Sequence, residues 1–76
     1  MKWQDYIERK TDVMQGKLVF KDTRLTVEMV LEKLGAGWPP SDLIAAYPDL
    51  TNEHIQAAQA CAAAYLASDE AIFLST

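Results

Sequence analysis

The stretch Thr26-Val27-Glu28-Met29-Val30-Leu31-Glu32-Lys33-Leu34-Gly35 carries the clearest structural signal in the chain. At Val27 the apolar period changes from two to about three and a half. Val27, Val30, Leu31 and Leu34 fall at i, i+3, i+4 and i+7, the spacing of one buried helix face. Thr26 suits the N-cap, Leu25 and Val30 occupy the staple positions around it, and Gly35 or Gly37 can end the helix. Glu28 in the first turn and Lys33 in the last match the helix dipole.

Upstream, the pattern from Ile7 to Thr26 favours extended chain. Leu18-Val19-Phe20 and Arg24-Leu25-Thr26-Val27 are short β-prone runs around the turn-compatible Lys21-Asp22-Thr23, so a hairpin of these two runs is expected, with Gly16 at its entry. Downstream, Trp38-Pro39-Pro40 is a stiff connector, because each proline fixes its own φ and disfavours helix in the residue before it. Ser41 then caps a short helix over 42–47 with Leu43, Ile44 and Tyr47 as its apolar face, and Pro48 ends it. Leu50 and Ile55 bracket Thr51 as a second staple, so an alanine-rich third helix is expected from Asn52 to about Ala67. The reading is a mainly α chain: a helix-turn-helix trihelical core preceded by a short β-hairpin, with residues 1–67 as one domain and 68–76 as an acidic, apolar tail.

Seventy-six residues suffice for one small domain, and a chain this short buries only about 60% of the surface its unfolded form exposes, which makes a second copy a natural way to complete the core. The net charge of −4 hides a division. All seven bases lie at or before Lys33 beside six acids, whereas from Leu34 onward there are five acids and no base. Non-specific coating of nucleic acid, which rests on Lys and Arg neutralising phosphates, is therefore disfavoured. One cysteine makes no internal disulfide, the N-terminus lacks the apolar core of a signal peptide, and the uncharged stretch from His54 to Ser68 is shorter than the about 20 residues that span a bilayer. A cytoplasmic location is expected.

Catalytic constellations are hard to assemble from this sequence. His54 is the only histidine and lacks a second ligand at i+3 or i+4, so no metal site is expected; Cys61 sits among alanines and reads as a small core residue. Gly16-Lys17 lacks the spacing of a phosphate loop, and the acids mostly occupy helix first turns, where capping explains them. No enzyme activity and no cofactor are expected.

What remains is a binding architecture. If the trihelical unit reads DNA, the third helix enters the groove with Asn52, His54 and Gln56 in its first turns, since Asn and Gln can make bidentate contacts to adenine. No Lys or Arg follows Lys33, so phosphate contacts must come from Lys17, Lys21, Arg24 and Lys33 in the hairpin and first helix. The competing reading is a trihelical fold whose polar first turn is simply capped and solvated.

The segment Gly16-Lys17-Leu18-Val19-Phe20-Lys21-Asp22-Thr23-Arg24-Leu25-Thr26-Val27, then Leu34-Gly35-Ala36-Gly37-Trp38, Tyr47-Pro48-Asp49-Leu50-Thr51 and Ile55-Gln56-Ala57-Ala58, resembles a small prokaryotic family catalogued as a domain of unknown function. Its members are described as candidate antitoxins often encoded beside a PIN-like ribonuclease toxin. The chain departs from the family pattern at Leu18, Asp22 and Thr26, where Pro, Gly and Pro are usual, and the loss of that glycine is expected to change the hairpin turn. The resemblance implies an N-terminal hairpin on a helix-turn-helix core, commonly a homodimer. It also suggests a role for the tail: Ile72, Phe73 and Leu74 either engage a toxin partner or pack back on the core or on a second subunit. The resulting expectation is an antitoxin-like protein that binds its own operator and a toxin; the alternative is an acidic protein-interaction module that never touches DNA.

Overall fold

The computed structural model describes residues 1–10 and 16–74, with side chains described to Ser68. The chain opens with a single 3-10 turn, Trp3–Asp5, and continues into β1 (Ile7–Arg9) and β2 (Leu18–Phe20). Three helices follow: α1 (Val27–Gly35), α2 (Pro40–Ala46) and α3 (Asn52–Leu74). The expected class, a mainly helical domain with an N-terminal hairpin, is the one found.

The hairpin differs in its partner. β2 pairs antiparallel with β1, in the register Ile7 to Phe20, Glu8 to Val19 and Arg9 to Leu18. The run after the turn makes only an isolated bridge, Val19 to Thr26, together with the Phe20 N–H donating to the Leu25 carbonyl at 3.0 Å. Thr26 has already become the N-cap of α1, its hydroxyl accepting from the Met29 N–H at 3.1 Å, so the chain leaves the sheet before a second strand can form.

The turn between Phe20 and Thr23 keeps a left-handed residue despite lacking a glycine. Asp22 has φ +63°, and the Thr23 N–H donates to the Phe20 carbonyl at 3.1 Å. Aspartate is among the few residues that enter this region at modest cost. The Thr23 hydroxyl braces the turn, donating to the Phe20 carbonyl at 2.8 Å and accepting from the Leu25 N–H at 3.0 Å. Position 22 thus takes, without a glycine, a left-handed conformation of the kind glycine favours.

Helix α1 ends in a Schellman motif. Gly37 adopts φ +99°, its N–H donates to the Leu34 carbonyl, and the Trp38 N–H reaches the Lys33 carbonyl, each at 3.0 Å. The Lys33 ammonium then rests 4.6 Å from the Trp38 ring centroid, a cation–π contact across the helix end. α2 starts earlier than the expected Ser41 cap: Pro39 is its N-cap and Pro40 its first residue, a position where proline's fixed φ suits the helix and its missing N–H costs nothing. α3 begins at Asn52 as expected but runs on to Leu74 instead of ending near Ala67. The reason is the absence of any glycine or proline after Pro48.

The core gathers Phe20 and Val19 from β2, Val30 from α1, Leu43 from α2 and Leu50 from the α2–α3 turn, all fully buried or nearly so. α3 contributes Ile55, Ala57, Ala58 and Cys61. Ala57 and Ala58 are wholly covered, which lets the neighbouring elements approach the α3 backbone closely. Among the described residues, Cys61 is the last buried position of the chain.

Candidate functional site

The N-terminus of α3 is tied to the hairpin through one side chain. Thr51 precedes the helix, and the Nδ1 of His54 accepts from the Thr51 N–H at 3.1 Å and lies 2.9 Å from its hydroxyl. The Thr51 hydroxyl in turn accepts from the His54 N–H at 3.4 Å. This is a capping box with histidine in the place usually held by Glu or Gln. The half-buried His54 ring also meets the Phe20 ring edge-on at 5.3 Å between centroids and the Tyr6 ring at 5.6 Å. Its placement is structural: the ring joins the first turn of α3 to β2 through Phe20 and to the residue just before β1 through Tyr6. The neighbouring Glu53 is exposed, and its carboxyl lies below its ordinary value of 4.5 because its own backbone N–H, then the Thr51 hydroxyl, donate to it.

That junction brings two of the expected phosphate contacts to the end of the molecule that carries the expected base contacts. The Lys21 N–H donates to the Tyr6 carbonyl at 2.9 Å, and exposed Lys21 and Arg24 flank the turn beside the His54 cluster. A shallow depression is shared by Lys10, Asp22, Thr23, Arg24, Leu25 and Asp49, so the hairpin turn also adjoins the α2–α3 turn. Asn52 and Gln56 are exposed on the first turns of α3. The bases are not alone there: Asp22, Asp49 and Glu53 occupy the same end. Lys17 is elsewhere, its ammonium 3.2 Å from the Glu28 carboxylate in the first turn of α1.

A second surface escaped sequence reasoning. An apolar groove of about 650 Å³ runs between β2, α1 and α3, walled by Leu18, Val27, Leu31, Ala62 and Leu66 with Cys61 at its floor. Burial pushes the Cys61 thiol above its ordinary value of 9.0. The rim carries both signs: Arg9 and Lys17 on the strand side, Glu28 and Glu32 on α1. Arg9 is held in place, donating to the Gly16 carbonyl at 2.7 Å and to the Tyr65 hydroxyl at 3.1 Å, while the Trp3 ring supports Tyr65 edge-on at 6.4 Å. Tyr65 and Leu66 nevertheless stay 46% and 63% exposed. The available signal was the i, i+4 continuation of the buried stripe from Cys61 to Tyr65 and from Ala62 to Leu66. The side chains of Ile72, Phe73 and Leu74, the expected partner contacts, lie outside the described residues.

Among the described residues, no group of three His, Cys, Asp or Glu side chains is placed to hold a metal, and no helix is long and apolar enough to cross a membrane. No curated protein and no solved structure matches the chain. A family model described as "Protein of unknown function (DUF433)" matches residues 7–62, from the first residue of β1 to the point in α3 where burial ends. Spanning most of the chain and both the hairpin and the three-helix core, that match establishes that the protein belongs to the DUF433 family.

Proposed function

We propose that this chain is an antitoxin-like protein: a dimer whose helix-turn-helix core binds its own operator, and which also engages a protein partner, a PIN-like ribonuclease toxin. The observation that carries the DNA half is the His54 junction. By fixing the hairpin turn against α3, it presents Lys21 and Arg24 at the same end as Asn52 and Gln56. Phosphate contacts and base contacts are thereby available to one duplex, the division of labour that sequence-specific binding requires.

The test is a gel-shift titration against the DNA upstream of the protein's own reading frame, repeated over a range of salt. Arg24→Ala and Lys21→Ala are expected to weaken binding to all sequences and to reduce the salt slope by about one unit each. Asn52→Ala and Gln56→Ala are expected to relax sequence preference. No salt-sensitive complex at micromolar protein would remove the operator-binding half of the reading.

The acids among those bases, and the absence of any base after Lys33, favour a second reading: a protein-interaction module with no DNA function. Co-purification with the product of the adjacent reading frame, alongside a negative gel shift, would decide for it.

A further inference from the structure

We propose that a second copy of this chain fills the apolar groove between β2, α1 and α3, seating the Ala62–Leu66 turn of its own α3 there while offering its groove in return. This rests on the dimeric part of the function proposed above and assigns that dimer an interface.

The first argument is the helix itself. From Cys61 to Ala67 seven consecutive residues carry no charge, so α3 is apolar on every side over two turns. One side faces the core of its own domain; nothing described after Cys61 is buried. A helix apolar all round needs cover on more than one face. The thirteen residues that α3 adds after Cys61 extend it by about 20 Å, and an isolated helix of that length is marginal in water without packing. The groove lies directly beside this segment and shares Ala62, Tyr65 and Leu66 with it.

The second argument is charge. Lys17 and Glu28 of the rim are paired within each copy at 3.2 Å, which leaves one base and one acid to face outward: under a two-fold axis Arg9 of one copy can face Glu32 of the other. A partner of a single sign would meet repulsion along half of that rim. The exposed first turns of α3, Asn52 to Gln56, lie about 15–21 Å along the helix from Leu66, so the same dimer leaves them open.

The test is sedimentation equilibrium of the full chain from about 1 µM upward, with Leu66→Lys on the proposed interface and Gln59→Lys on an exposed α3 position outside the groove. The expected result is a wild-type dimer, a dissociation constant at least about tenfold higher for Leu66→Lys, and no change for Gln59→Lys. Hydrogen exchange provides an independent reading on the unaltered chain: the amides of residues 62–68 should slow as concentration rises through the dimerisation range. A wild-type chain that stays monomeric overturns both the interface and the dimeric reading. A dimer that Leu66→Lys leaves intact, with residues 62–68 unprotected, overturns the interface alone.

Discussion

Replacing His54 by alanine removes the acceptor for the Thr51 N–H, one half of the capping box of α3, and two edge-on aromatic contacts at once. The cap contributes about 1 kcal/mol, and each ring pair about 1 kcal/mol beyond its burial, for a total near 3 kcal/mol. At roughly 0.05–0.15 kcal/mol per residue, a chain of this length has about 4–11 kcal/mol of stability, so the variant stays folded but loses a substantial part of its margin. For a domain of this size 1 kcal/mol moves the midpoint by about 4–8 °C, which places the drop near 15 °C. Two further variants divide the total. His54→Phe retains the rings and loses the cap, costing about 1 kcal/mol, whereas His54→Asn retains a cap-competent oxygen and loses the rings, costing about 2 kcal/mol. Urea and thermal unfolding monitored by far-UV circular dichroism measure all three. A melting shift below about 4 °C for His54→Ala would refute the structural assignment. If that variant also lost sequence preference in the gel shift, His54 would be a base-reading residue after all.

Two other outcomes follow from local geometry. Asp22→Val places a β-branched residue at φ +63° and should cost about 1–2 kcal/mol, while Asp22→Asn should be nearly neutral, as the urea midpoints of the two variants will show. Because the Glu53 carboxyl is held below its ordinary value of 4.5, the unfolded chain binds its proton first as pH falls; the stability Glu53 contributes is therefore complete above 4.5 and lost on acidification below it. Glu53→Gln should flatten that part of the acid unfolding curve, and an unchanged profile would contradict the assignment.

Helices were the legible part of this sequence because their signals are local. Thr26, Gly37 and Thr51 mark boundaries through bonds made within a few residues, and the structure has those bonds. The strand pairing was not legible, since Ile7-Glu8-Arg9 has one core residue among charges and earns its place only through register with a strand eleven positions later. Ser41 misled because a serine after two prolines looks like a cap, while proline at the first helical position is itself a start signal. Of the expected DNA contacts, Lys21, Arg24, Asn52 and Gln56 are displayed at one end, Lys17 is paired with Glu28, and His54 is half-buried in a contact no periodicity could reveal. The groove was hidden for a related reason: its walls come from three elements distant in sequence.

The bond from Arg9 to the Tyr65 hydroxyl joins residues 56 apart, so it closes most of the chain into a single loop. Loop-closure entropy makes such a contact late to form, with the helices and their caps already in place, and early to open. The first nine residues therefore act as a clasp on α3, and anything fused ahead of Met1 starts a short distance from Tyr65. A purification tag at that end would therefore load the clasp itself, through the Trp3 and Arg9 contacts to Tyr65.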